Sequence, residues 1–284
     1  MSLSRSVSRV LHAGTYRFVL DRPLIMGILN VTPDSFSDGG RFFGAESALD
    51  RARQMMQEGA DIIDVGGEST RPGAEAVGPE EELRRLRPVV ELLAPRFPIS
   101  VDTSKPDVMR EVLPLGVAMV NDVRALREPD ALETVAGSGA AVCLMHMLGT
   151  PRSMQQAPHY DDVVAEVGGF LKQRAEAAEA MGIARERIVI DPGFGFGKTA
   201  EHNLTLWRRL SDLRNLGWPV MAGLSRKSTL GQITGRAVDD RLFASVAAAM
   251  LAVQRGAEIV RVHDVAPTRD ALAILRAVET ESRG

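Results

Sequence analysis

Short apolar runs rich in β-branched residues alternate along the chain with longer stretches whose apolar positions recur every three or four residues. The first pattern is that of buried strands and the second that of amphipathic helices. The strand runs are Leu24 to Asn30, Asp61 to Gly66, Ile99 to Asp102, Ala118 to Asn121, Ala140 to Met145, Arg187 to Asp191, Pro219 to Ala222 and Glu258 to Val262. Between them, Glu80 to Leu93 aligns Leu83, Leu86, Val90 and Leu93 in one stripe and turns Arg84, Arg85 and Arg87 toward solvent. Leu204, Trp207, Leu210 and Leu213 mark a second helix, in which Trp207 keeps the core spacing. Phe243, Val246, Met250 and Val253 mark a third, with an Ala-rich packing side. Val163 to Met181 also reads as helix, against the intrinsic cost of Gly168 and Gly169.

Parallel strands require long crossovers, and each run is followed by enough chain for a helix. The pattern therefore predicts an α/β protein with a single-domain (β/α)8 TIM barrel rather than an open doubly wound sheet. Tyr16 to Leu20 precedes the first barrel strand, so residues 1–20 are expected to form an N-terminal extension or hairpin over the N-terminal face. Residues 21–284 then form the catalytic domain. No Pro/Ser-rich linker or short repeat interrupts the alternation, and 284 residues suit one barrel of about 250 residues.

Composition narrows the function classes. With 45% apolar and 25% charged residues the chain is an ordinary globular one, neither disordered nor collagenous. A net charge of -3 provides no basic footprint for nucleic acid, and no apolar run is long enough to span a bilayer, so neither partner is expected. The single cysteine, Cys143, lies inside a strand run and reads as core. It excludes an internal disulfide and points to a reducing, cytoplasmic setting. The basic, serine-rich opening lacks an apolar h-region and is not a secretory signal, a transit peptide being the alternative.

In a barrel of this kind chemistry gathers at the C-terminal strand ends. Here those ends are polar: Asn30, Asp64, Asp102, Asn121 with Asp122, His146, Asp191, Ser225 with Arg226 and Lys227, and Arg261 with His263 and Asp264. A single such residue is often a turn or cap residue, but every run ending so implies a site. Asn30, Arg71, Arg261 and His263 suit a phosphate or pyrophosphate. Asp102, Asn121, Asp191 and Lys227 suit a flat heterocycle with N–H and C=O edges. The connections around Thr32 to Gly40 and Gly66 to Gly73 are long, polar and Gly-rich, as mobile lids are. Other motifs fail. Gly193 to Thr199 resembles a phosphate loop, but Pro192 stands where that motif needs its first glycine. His146 and His159 lack clustered ligands for zinc, and no Gly-x-Ser-x-Gly elbow occurs.

Six segments, taken together, resemble the dihydropteroate synthase family, the folate-pathway enzymes targeted by sulfonamides. They are Met26 to Gly39, Asp64 to Gly73, Ser100 to Thr103, Met145 to Pro151, Asp191 to Lys198, and Ser225-Arg-Lys227 with Arg261 to Asp264. The resemblance implies condensation of 6-hydroxymethyl-7,8-dihydropterin diphosphate with 4-aminobenzoate to 7,8-dihydropteroate and diphosphate, with Mg²⁺ and by an SN1-like path. It also implies a cytoplasmic homodimer inhibited by sulfonamides. It assigns Asp102, Asn121, Met145, Asp191, Phe196, Gly223 and Lys227 to the pterin. Asn30, Thr70, Arg71, Arg261 and His263 go to the diphosphate, with Asn30 as the protein's metal ligand. Pro33, Phe36, Thr70, Arg71, Pro72, Phe196, Ser225 and Lys227 go to 4-aminobenzoate. Asn30, Arg71, Asp102, Lys227, Arg261 and His263 are the implied catalytic set, while Asp64 is either a participant or a strand-end residue. Two other readings share the barrel: a methyltransferase acting on methyltetrahydrofolate, which has no need of Asn30 with Arg261 and His263, and a non-catalytic paralogue, which has no need of Thr70-Arg71-Pro72.

Overall fold

A computed structural model describes residues 9–31, 40–68, 77–149, 154 and 157–279. The chain begins with an antiparallel hairpin, β1 (Val10–Ala13) and β2 (Tyr16–Val19). Eight strands follow: β3 (Leu24–Asn30), β4 (Ile62–Gly66), β5 (Ile99–Asp102), β6 (Met119–Asp122), β7 (Ala141–Met145), β8 (Ile188–Asp191), β9 (Met221–Ala222) and β10 (Ile259–Val262). They pair in parallel in the order β8-β7-β6-β5-β4-β3-β10-β9, and a parallel bridge between Ile190 and Val220 joins the two ends. The sheet is thus the closed barrel that the strand pattern predicts, within a residue or two of the expected boundaries.

Successive side chains of a strand point to opposite faces. Ala141 and Cys143 of β7 accordingly face the barrel interior with Met26, Ile62, Met119, Val189, Met221 and Ile259. Val142 and Leu144 face outward into the layer beneath the helices. Leu11 and Ala13 of the hairpin join the interior set, so β1 and β2 plug the N-terminal mouth. Arg9 fastens that plug by pairing with both carboxylate oxygens of Glu258, at 2.8 and 2.9 Å. The register, with Gly66 opposite Asp102, Asp102 opposite Asn121 and Met145 opposite Asp191, brings the strand ends to one C-terminal rim.

The helices are α1 (Gly40–Glu58), α2 (Pro79–Leu93), α3 (Pro106–Val112), α4 (Ala131–Ala136), α5 (Val163–Ala180), α6 (Ala200–Arg208), α7 (Leu210–Arg214), α8 (Ser228–Thr234), α9 (Leu242–Gln254) and α10 (Val265–Glu279). α2 starts as an N-terminus should, with Pro79 in its first turn and Glu80, Glu81 and Glu82 at the positive end of the helix dipole. α5 starts on Asp162, whose side chain accepts the Val164 and Ala165 N–H groups. Gly168 is tolerated inside α5 because a Cβ there meets Leu213 of α7 at 3.3 Å; its absence lets the two helices approach. No helix among the described residues is long and apolar enough to cross a membrane.

One helix face keeps its expected aspect and two others do not. α9 packs on the Ala-rich side that the sequence offers, Ser245, Ala248, Ala249 and Ala252, and leaves Phe243 85% exposed. In α2, Glu82 is fully buried beside Leu86, and Arg85 turns back to donate to the Gly67 carbonyl at 2.9 Å instead of facing water. Trp207 is only half-buried, lying against the edge of the core rather than inside it.

Candidate active site

The rim concentrates charges that the strands deliver from six directions. Asp64, at the heart of β4, is fully buried and receives the Arg261 Nε–H at 2.6 Å and the Asn121 amide at 3.1 Å on the same oxygen, Oδ2. Its other oxygen has no hydrogen-bond partner. Arg261 also donates from Nη2 to Asp102 Oδ2 at 2.9 Å. A guanidinium has five N–H donors, so three remain for a ligand after these two bonds. Burial, reinforced by the Asp64 charge and opposed by Arg261, pushes the Asp102 carboxyl up to about 7. Two carboxylates thus hold one arginine in a fixed pose, and Asp64, whose part the sequence leaves open, is the residue that ties Arg261 to Asn121.

A second group lies toward β8 and β9. Asp191 is buried and accepts the Gly193 N–H at 2.7 Å; burial raises its carboxyl, with Gly193 and the Lys227 charge pulling the other way. Lys227 donates to the Phe194 carbonyl at 2.5 Å and sits 4.1 Å above the centre of the Phe196 ring. Desolvation lowers its ammonium to about 8, against the attraction of Asp191. Phe196 packs on an apolar patch of Val123, Met145, Met147 and Met154. A flat, partly apolar slot results, bordered by a carboxylate, an ammonium and the Asn121 amide.

Backbone conformation makes that slot. Gly193, Gly195 and Gly197 all have positive φ, and the phenylalanines between them point in opposite senses, Phe194 into the core and Phe196 toward the slot. A side chain at Gly193 runs into the His146 carbonyl at 2.0 Å, and one at Gly197 into the Leu148 carbonyl at 2.6 Å. Only glycine allows the loops after β7 and β8 to touch in this way.

Beyond Lys227 the rim turns toward the anion-type residues. Ser225 Oγ lies 3.0 Å from His263 Nδ1 and accepts the His263 N–H at 3.3 Å, linking the ends of β9 and β10. Gly223, half-buried, faces the Cβ of Arg261. Asn30 is exposed at the end of β3, its Oδ1 directed to the space beside Gly66 and Asp102. The structure therefore brings Asn30, Asp102, Asn121, Met145, Asp191, Phe196, Gly223, Ser225, Lys227, Arg261 and His263 to one rim. Pro33, Phe36, Thr70, Arg71 and Pro72 lie outside the described residues. Asp122 turns away: its carboxylate accepts the Arg124 and Leu126 N–H groups, each at 2.7 Å, and shapes its own loop.

Sequence reasoning names Arg226 and Asp264 as polar strand-end residues but gives them no task, and it passes over Arg241. Arg226, at φ 59°, has its N–H held by Ser245 Oγ at 2.9 Å and its guanidinium by Asp264 at 2.8 Å. Arg241 donates to the Arg226 carbonyl at 3.0 Å. These bonds hold the Ser225-Arg226-Lys227 segment in a strained turn.

Fold and site define a closed α/β barrel with a heterocycle-type slot and an anion-type corner on one rim. Residues 26–263 match the pterin binding enzyme family. The chain is 50% identical over 269 residues to dihydropteroate synthase of Haemophilus influenzae, covering 94% of this chain and 98% of that one. Its structure resembles that of Xanthomonas albilineans dihydropteroate synthase with 4-aminobenzoic acid, at 53% identity and a TM-score of 0.91, covering 97% of this chain and all of that one. A structure of dihydropteroate synthase from the same organism in complex with 7,8-dihydropteroate matches at 50% identity and a TM-score of 0.86, over 96% of this chain and 99% of that one. The chain belongs to the dihydropteroate synthase family of pterin-binding enzymes.

Proposed function

We propose that this protein condenses 6-hydroxymethyl-7,8-dihydropterin diphosphate with 4-aminobenzoate, giving 7,8-dihydropteroate and diphosphate. The observation that carries the reading is the meeting, on one rim, of the Asp191–Lys227–Asn121 slot with the Arg261–His263 corner. The pterin's guanidine-like edge donates to Asp191, which keeps acceptor capacity beyond its bond to Gly193. Lys227 donates to the ring carbonyl, Asn121 and Asp102 meet ring nitrogens, and Met145 and Phe196 form apolar walls around Gly223. Arg261, His263, Thr70 and Arg71 hold the diphosphate.

The carbon–oxygen bond to diphosphate breaks first. The electron-rich dihydropterin stabilises the methylene cation, and the electron pair leaves with the diphosphate oxygen. The arylamine is uncharged at neutral pH, so it attacks without a base and sheds its proton afterwards. Catalysis then rests on orientation and on pre-placed positive charge at the departing group, with no nucleophilic side chain. The loops around residues 32–40 and 66–73 exclude water from the cation, and Pro33, Phe36, Thr70, Arg71 and Pro72 shape the 4-aminobenzoate pocket with Ser225, Phe196 and Lys227. Sulfonamides compete for that pocket.

Asn30 offers one amide oxygen at an open strand end, and the described residues contain no cluster of three acidic, His or Cys ligands. Such a donor set fits Mg²⁺, which takes most of its oxygens from phosphate and water. When bound through Asn30, the ion supplies charge neutralisation to the leaving diphosphate. The protein acts in the cytoplasm as a homodimer in this reading.

The test is incubation of purified protein with Mg²⁺, dihydropterin diphosphate and 4-aminobenzoate. Dihydropteroate and diphosphate in equal amounts are expected; formation of neither overturns the assignment. Asp191→Ala and Lys227→Ala are expected to weaken pterin binding, and His263→Ala to lower the rate of diphosphate release. Equal effects of all three on pterin affinity contradict the division into slot and corner.

A further inference from the structure

Lys198 is given no task by the proposed reaction, and its surroundings are unusual. It follows the Gly193–Gly197 segment, is only 2% exposed, and has no carboxylate among its hydrogen-bond partners. Its ammonium reaches His146 Nδ1, the Gly193 carbonyl and the Phe196 carbonyl, each at 3.0 Å, with the His146 carbonyl at 3.3 Å. An ammonium has three protons, and three acceptors at 3.0 Å occupy them all. No donor remains to offer a substrate, so Lys198 is not a binding group.

Its partners are, instead, the parts of the slot wall. His146 stands at the end of β7 beside Met145, while Gly193 and Phe196 belong to the turn after β8. Without the ammonium, three carbonyl dipoles converge on an empty centre, and the two loops, already in contact at Gly193 and Gly197, repel one another. Phe196 is both a partner of Lys198, through its carbonyl, and the platform beneath Lys227, through its ring. The neighbouring groups act on both titratable members of the cluster. Burial and the Lys198 charge hold His146 down to about 3, so its ring is neutral and Nδ1 is free to accept. Burial lowers the Lys198 ammonium to about 7, with Asp191 supporting its proton and Lys227 opposing it; the staple is the set of acceptors gathered around Nζ.

We propose that Lys198 is a positioning residue for the pterin slot: it staples the β7 loop to the glycine-rich turn after β8 and so sets the place of the Phe196 ring and, through it, of Lys227. The inference rests on the reading of this slot as the pterin site. Lys198 touches no substrate; it acts through the loop backbone.

The experiment is calorimetric titration of the full-length protein with 6-hydroxymethylpterin, alongside steady-state kinetics. Lys198→Met is expected to weaken pterin binding about tenfold at unchanged stoichiometry, and to raise KM for dihydropterin diphosphate while KM for 4-aminobenzoate stays within about twofold. A merely structural role predicts the opposite split, fewer binding-competent molecules with the native affinity, and that result overturns the proposal. Phe196→Leu combined with Lys198→Met is expected to fall short of the product of the single effects, because both act through one wall; full additivity overturns it. If Lys198→Met does not fold, His146→Leu removes the only side-chain acceptor and is expected to weaken pterin binding about threefold. Native affinity in that variant counts against the staple. Failure of the wild-type protein to bind the pterin removes the functional reading itself, whereas wild-type binding with an unaffected Lys198→Met removes only this inference.

Discussion

At the scale of single residues, Lys227 makes the sharpest pH prediction. Burial lowers its ammonium from 10.5 to about 8. Between those values the folded protein binds fewer protons than the unfolded chain, so the cost of burying Lys227 is complete below about 8 and recedes as the pH climbs. Activity moves the other way, because the ring carbonyl needs the protonated amine. On this basis kcat/KM for the dihydropterin substrate is expected to fall on an alkaline limb near pH 8. Lys227→Arg, which stays charged, is expected to lose that limb even if it is slower throughout. A limb that persists in the arginine variant assigns the titration to another group. The residues of the rim were legible because a charge ending a buried apolar strand has only the rim to face. Lys198 was not, since its partners are mainly main-chain carbonyls and these leave no mark on the sequence. Asp64 stayed ambiguous for a related reason: a carboxylate at a strand end serves a turn or an arginine equally well, and only the fold shows Arg261, 197 positions away, arriving at it.

At the scale of elements, the strands were readable because parallel strands buried on both faces become continuous apolar runs bounded by polar residues. On α9 the Ala-rich packing side was readable, but the outward place of Phe243 was not. Alanine and phenylalanine are both apolar, and the distinction between packing tightly and packing widely belongs to the neighbouring elements. α9 lies close enough that Ser245 Oγ accepts the Arg226 N–H at 2.9 Å, while its own O–H donates to the Arg241 carbonyl at 2.6 Å. Ser245→Ala removes both bonds and leaves a main-chain donor in a strained turn without an acceptor, at a cost of about 1–3 kcal/mol. Urea denaturation is expected to show that loss, and KM for the dihydropterin substrate is expected to rise because Lys227 follows in the same turn. A stability loss with unchanged KM argues that the turn holds Lys227 without α9. The hairpin is expected to behave in the contrasting way. Leu11→Ala empties a fully buried site at the far mouth of the barrel, costing about 2–5 kcal/mol, and leaves KM alone.

At the scale of the whole molecule, the described rim residues meet within one barrel. The apolar residues that remain outside are unevenly placed. Among the described residues, the most exposed lie on the last three helices: Phe243 of α9 at 85%, Val278 and Ile274 of α10 at 78% and 66%, and Ile233 of α8 at 57%. A large aromatic ring left in water, with aliphatic side chains exposed on the helices before and after it, has the composition of a contact surface, and an isologous pairing of two chains covers it on both sides. The proposed homodimer is therefore assigned to this face. Light scattering on the purified protein is expected to report twice the chain mass of 30.7 kDa, and Phe243→Glu to report the single chain. The substitution places a charge where no packing within the chain is disturbed. The monomer it releases is expected to keep kcat/KM within about twofold, because Phe243 is not among the described rim residues. A wild-type protein that is monomeric at micromolar concentration removes the dimer. A Phe243→Glu protein that stays dimeric moves the interface to another face, and one that becomes monomeric with large losses in kcat ties the clamp of Ser245 on Arg226 to bracing of α9 by a second chain.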